Sequence, residues 1–170
     1  LKLPGVQLWS AFLAVGVLAL VLHAALEAGS LQQSWFYDVV GASAVAMAIV
    51  GIVRNAPDRR LPWLLMAAGQ ALFVAGDIMW NWYEMIGEEP FPSLADVLYL
   101  GGYPFMAAGI FLLIRRRMGG GDRGGVLDAA ILTTACAILS WTFVIQPQMG
   151  GSDLDPLSLA ITLAYPLMDL

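Results

Sequence analysis

Four polar residues recur inside an otherwise apolar stretch: Gln70, Asp77, Asn81 and Glu84, spaced by seven, four and three. At about 100° per residue these spacings put all four on one helical face. A carboxylate in mid-bilayer costs about 2.5–3.5 kcal/mol on insertion scales, so such a stripe must turn toward other helices or a hydrated cavity. Two readings stay open for Asp77, the deepest acid: part of a ligand- or proton-sensing pocket, or part of a structural polar seam. Asn81 and Glu84 lie nearer one end of the segment. A second face carries Asp96, Tyr99 and Tyr103 at i, i+3 and i+7. Here Ser93 reads as a helix cap and Asp96 as the acid three places later, so Asp96 also has a plain role in completing a helix start. Tyr165 and Asp169, further on, repeat the tyrosine-plus-acid theme; Asp169 and Asp77 are the strongest candidates for functional acids.

None of this forms a catalytic constellation. The single histidine, His23, excludes a bis-histidine haem site within the chain and is expected to hydrogen-bond a neighbouring helix. The single cysteine, Cys136, excludes an intrachain disulfide and any multi-cysteine metal site, and reads as a small buried filler in an apolar run. Gly119-Gly120-Gly121-Asp122 lacks the flanking strand and the lysine of a phosphate-binding loop and reads as a solvated loop beside arginines. No metal or cofactor is expected, and no nucleic-acid partner either, since basic residues are few and confined to short loops.

The elements that must position these residues are set by composition. Of 170 residues, 59% are apolar and 12% charged, against roughly 45–50% and 25% in ordinary soluble domains. A mean hydropathy of +0.75 leaves too little polar surface to cover a core in water, and lipid is the solvent that fits. Long apolar runs predict an all-α, polytopic transmembrane bundle with helices over about Leu8 to Ala28, Trp35 to Val53, Leu61 to Ile86, Leu94 to Ile114, Val126 to Ile145, and from Leu157 to Leu170 onward. The sixth is too short to cross and the chain starts with Leu1, so it reads as a fragment of a longer protein. The first run is too long for a signal peptide and has no clear cleavage site.

All eight basic residues fall in alternate connections: Lys2; Arg54, Arg59 and Arg60; Arg115, Arg116, Arg117 and Arg123. The intervening ones carry Glu27, Glu88 and Glu89, Asp153 and Asp155. Lysine and arginine collect on the cytoplasmic side, which predicts a cytoplasmic amino terminus and a cell-membrane location. Trp35, Phe36, Tyr37, Trp80, Trp82 and Tyr83 then fall at the outer headgroup level. Gly101, Gly102 and Pro104 are expected to interrupt and kink the fourth helix, with close backbone approach. Ala42, Ala44, Ala46 and Ala48 offer a small-residue packing surface on the second. Leu163-Ala164-Tyr165-Pro166-Leu167-Met168 echoes Gly101-Gly102-Tyr103-Pro104-Phe105-Met106, which points to a degenerate helix-pair repeat in parallel orientation, with Pro166 as a second kink.

Gly76-Asp77 with Trp80 and Tyr83, then Phe91-Pro92-Ser93-Leu94-Ala95-Asp96-Val97-Leu98-Tyr99-Leu100, Tyr103-Pro104 and the Arg115–Arg117 stop resemble the multi-pass amino-terminal membrane region of actinobacterial-type diguanylate cyclases and cyclic-di-GMP phosphodiesterases. Leu163 to Leu170 looks like the next block of that region. The resemblance covers roughly Ala75 to Leu170. It implies further helices after Leu170, then cytosolic GGDEF and EAL domains, sometimes with a PAS domain; none of those enzymatic motifs is in this sequence. The expectation is a membrane-embedded sensory input domain for cyclic-di-GMP turnover. Its partners would be the bilayer, further copies of the chain or other membrane subunits. The alternatives are an accessory subunit of a larger membrane complex and a small transporter or channel, since membrane acids and proline-broken helices are also transporter traits.

Overall fold

A computed structural model of the chain describes residues 6–55, 58–117, 123–151 and 154–170. Lys2, the Gly119–Asp122 loop and Asp153 lie outside the described residues. Among the described residues every regular element is helical: α1 (Val6–Ala25), α2 (Leu31–Asn55), α3 (Leu61–Ile86), α4 (Leu94–Arg117), α5 (Arg123–Ser140), a π-helical turn (Trp141–Ile145), α6 (Gln146–Gly151) and α7 (Pro156–Met168). The segments Leu31–Asn55, Leu61–Ile86, Leu94–Arg115 and Gly124–Met149 are long and apolar enough to cross a membrane, and Trp9–Ala25 and Pro156–Met168 are shorter apolar helices. The protein is thus an all-α bundle of about six helical segments suited to a membrane.

The ends of α3 follow from local chemistry. Pro62 occupies its first turn, where a missing N–H costs nothing. At the other end Gly87 adopts φ 75° while its N–H bonds to Glu84 O and that of Glu88 to Tyr83 O, the Schellman closure that residues with a Cβ disfavour. α2 starts four residues before the expected Trp35. The Ser30 hydroxyl accepts the N–H of Gln33 at 3.2 Å, and the Gln33 side chain accepts the N–H of Gly29 at 2.9 Å, which caps a start that hydropathy alone does not reveal. The fifth span also runs past its expected end at Ile145. Gln146 N–H donates to Trp141 O, a π turn that widens the helix just ahead of Pro147, whose ring would otherwise clash with a preceding carbonyl.

Contacts fix the packing directions. Asp38 meets Asn81 and Gly41 faces Val74, so α2 and α3 are antiparallel. Gly109 faces Pro62 and Met66, Gly69 faces Gly102 and Met106, and Gly76 faces Tyr99, so α3 and α4 are antiparallel and very close. Arg54, Arg59, Arg60 and Arg115 therefore share one end of the bundle, the basic end, and Glu84, Glu88 and Asp96 lie toward the opposite, acidic end. The expected close approach on α4 is made by Gly102, where a Cβ would lie 3.1 Å from Gly69 O; at Gly101 the nearest atom would be 4.0 Å away. α4 is not broken at the expected interruption: α4 and α7 each run as one helix through Pro104 and Pro166. Neighbouring helices make proline tolerable inside membrane helices.

Burial is inverted relative to a soluble protein. Leu20, Ile131, Leu132 and Phe143 are at least two-thirds exposed, while Asp38, Asn81, Asp96 and Ser158 are buried. With lipid as solvent the apolar side chains need no core, and the polar ones must find one another. Cys136 corrects its expected place: it is exposed on α5. An apolar neighbourhood in sequence does not distinguish a helix interface from a lipid-facing side.

Candidate functional site

The polar stripe of α3 is split between two neighbours. Toward α2, Asn81 Nδ2 donates to Asp38 Oδ2 at 2.6 Å, with both residues buried. Toward α4, the Tyr99 hydroxyl donates to Asp77 Oδ1 at 2.7 Å. Gly76 makes the second contact possible, because a Cβ there would lie 2.7 Å from the Tyr99 ring. These pairs border a cavity of about 170 Å³ toward the acidic end, into which His23, Gln33, Ser34, Tyr37 and Trp80 also project. At 1.5 Å per residue Asp38 lies about 12 Å along α2 from Ser30, and Asp77 about 15 Å along α3 from Gly87, close to the middle of a 30 Å hydrocarbon layer.

Asp38 is 3% exposed, and its Oδ1 has no hydrogen-bond partner. Leaving a buried carboxylate oxygen unpaired costs roughly 1–3 kcal/mol or more, so this atom stands ready for a donor. Asp38 was not singled out by its sequence: one acid after Trp35, Phe36 and Tyr37 reads as part of an interfacial belt. The signal it does carry is its isolation: it is the only charged residue between Glu27 and Arg54, and a carboxylate in such a run must turn toward another helix.

A second cluster ties α4 to α7. Asp96 Oδ2 accepts both the N–H of Ser93, at 2.7 Å, and its hydroxyl, at 2.9 Å, the expected helix start. Its Oδ1 accepts the Tyr165 hydroxyl at 2.7 Å. Capping and tying are thus one residue's two roles. Deeper in, the Tyr103 hydroxyl donates to Asp169 Oδ1 at 2.6 Å, while the Tyr103 ring packs edge-on to Phe73 of α3. Both ties run in the same chain direction, so α4 and α7 are parallel. The echo between them extends to their starts. Ser93 and Asp155 each stand ten residues before the Tyr-Pro tyrosine, and each pairs with the residue three places on, serine and aspartate having exchanged positions. The Ser158 side chain and backbone N–H hold the Asp155 carboxyl below the ordinary aspartate range.

Seven of the eight expected site residues are therefore joined into this layer: Asp77, Asn81 and Tyr99 at the cavity, and Asp96, Tyr103, Tyr165 and Asp169 at the α4–α7 contact. Glu84 is set apart. It is exposed and borders a separate depression with Glu88 and Glu89. Gln70 lines a larger apolar groove toward the basic end with Trp63 and Ile52. His23 receives a hydrogen bond from Gln33 Nε2 through its carbonyl oxygen, at 3.2 Å, while its ring lies 6.0 Å from that of Tyr37. Among the described residues no group of three or more His, Cys, Asp or Glu side chains is placed to hold a metal ion. In comparisons with known proteins no family model matches the chain, and neither a curated protein nor a solved structure is similar to it.

Proposed function

We propose that this chain is a membrane-embedded sensory input domain, in which the state of the cavity between α2, α3 and α4 is passed to α7. The observation that carries this reading is a side-chain tie at each successive helix contact: Asp38–Asn81 between α2 and α3, Asp77–Tyr99 between α3 and α4, and Asp96–Tyr165 with Tyr103–Asp169 between α4 and α7. A signal acts only through different affinities for two packings. Hydroxyl–carboxylate ties supply such alternatives, because each is directional and worth only about 0.6–1.7 kcal/mol in a membrane interior.

The output assigned to it, cyclic-di-GMP turnover by an attached cytosolic domain, is supported by the sequence resemblance over Ala75 to Leu170. The cytoplasmic location of the basic end is supported by the clustering of Arg54, Arg59, Arg60 and Arg115. The test is cyclic-di-GMP in cells expressing the whole gene product with Asp77→Asn. An altered basal level or altered response to stimuli is expected. Wild-type levels under all stimuli would remove the sensing reading, and a proton or solute flux in reconstituted vesicles that the same substitution abolishes would assign a transporter instead.

A further inference from the structure

The groove toward the basic end encloses about 450 Å³, within the roughly 300–1,000 Å³ of small-molecule sites. α2 contributes Gly51 and Ile52 to its walls, α3 Trp63 and Met66, and α4 Met106. Its described lining carries no charged side chain, so an occupant that enters from lipid is uncharged and mostly apolar. One polar group interrupts the wall at depth, the amide of Gln70. At 1.5 Å per residue Gln70 lies about 14 Å along α3 from Leu61, close to the middle of a 30 Å hydrocarbon layer. Among the described residues that amide has no hydrogen-bond partner, and neither its oxygen nor its nitrogen is closed off, so it is reachable from the groove it borders. The other polar groups of the lining are nearer the end of the bundle: Trp63 is two turns away along α3, about 10 Å, and Asn55 Nδ2 is taken by Gly51 O. A water at Gln70 would need roughly two to four polar partners, which these walls do not offer. The complement to the amide must therefore come with the occupant.

We propose that the groove binds a membrane-dissolved quinone, with the Gln70 Nε2 N–H donating to a ring carbonyl and the ring lying against the polarizable side chains of Met66 and Met106. A quinone is uncharged and flat, dissolves in hydrocarbon, and presents carbonyl acceptors at any depth. An acyl chain would fill the same volume and leave the amide bare, and the ester of a phospholipid stays at the headgroup level. The groove is separate from the cavity toward the acidic end, so this inference goes beyond the sensing reading and stands or falls without it.

The test is tryptophan fluorescence of the purified full chain in lipid nanodiscs, titrated with decylbenzoquinone as quencher and with decylbenzene, which lacks the carbonyls, as competitor. A saturable component of quenching is expected above the linear part that partitioning into lipid produces. Trp63→Phe should remove that component, because its indole borders the groove. Gln70→Leu should weaken the saturable binding by about threefold to tenfold, and decylbenzene should compete more weakly than the quinone by a similar factor. Gly51→Leu should abolish it by filling the groove; a Cβ at Gly51 would meet nothing nearer than 4.0 Å, so the helix packing is left intact. Should Gln70→Leu not fold, Gly51→Leu and the decylbenzene competition carry the comparison. Purely linear quenching, a saturable component that persists in Trp63→Phe, unchanged affinity in folded Gln70→Leu or Gly51→Leu, or equal competition by decylbenzene overturns the proposal.

Discussion

The α3–α4 contact is built differently at its two ends. Toward the basic end it is glycine against backbone: a Cβ on Gly109 would lie 2.8 Å from Pro62 O, and one on Gly69 would lie 2.9 Å from Gly102 O. Toward the acidic end it is glycine against a side chain, the Tyr99 ring over Gly76, with the Tyr99 hydroxyl on Asp77. Main chain cannot yield without moving a helix, whereas a ring can turn. One end therefore fixes the crossing, and the other keeps alternative arrangements within reach. Only the adjustable end adjoins the polar cavity and, through Tyr99 and Asp96 on α4, leads toward α7.

Substitutions should grade along this contrast. Gly109→Ala is expected to be the most damaging, at about 3 kcal/mol, because overpacking against backbone has no cheap relief; unfolding in a denaturing detergent titration measures it. Gly76→Ala should cost about 1 kcal/mol, since the Tyr99 ring can turn aside, and equal losses at the two glycines would erase the distinction. Between the two glycines falls Asn81→Leu, which leaves both oxygens of buried Asp38 without partners; about 2 kcal/mol is expected in the same titration. Tyr99→Phe should lose about 1 kcal/mol or less.

The smallest effect belongs to Asp155, outside the bundle's polar layer. Its carboxyl is held below the ordinary range by Ser158, so its contribution is present above the unfolded-state value and disappears as pH falls through the lowered folded-state value. Acidification should therefore lower the protection of the Leu157 and Ser158 amides, both of which donate to Asp155, measured as hydrogen exchange relative to the intrinsic rate at each pH. Protection that persists after the Asp155 carboxyl has been protonated would contradict this.

The helical architecture was legible because hydropathy and helix punctuation agree. Pro62 and Gly87 mark the ends of α3, which match expectation at Leu61 and Ile86. The start of α2 was not read because the Ser30–Gln33 cap lies in a polar stretch that hydropathy discards. The π turn before Pro147 leaves no periodic trace. The stripe on α3 and the face on α4 were legible from 3.6-residue spacing, but spacing names a face and never its partner. Asp38 opposite Asn81, and Tyr165 opposite Asp96, are tertiary facts between residues 43 and 69 positions apart. Cys136 shows the same limit, since exposure to lipid and burial against a helix demand the same apolar neighbours.

The central claim is that the cavity and α7 are energetically linked through the intervening ties. A double-mutant cycle between Asn81→Leu at the α2–α3 pair and Tyr165→Phe at the α4–α7 pair, read from unfolding free energies in lipid nanodiscs, tests it most directly. The two sites share no direct bond, so independent sites would add to within about 0.3–0.5 kcal/mol. The account predicts a coupling energy above about 0.5 kcal/mol that falls when Tyr99→Phe is introduced into all four members of the cycle. Additive losses, or a coupling indifferent to Tyr99, would contradict it.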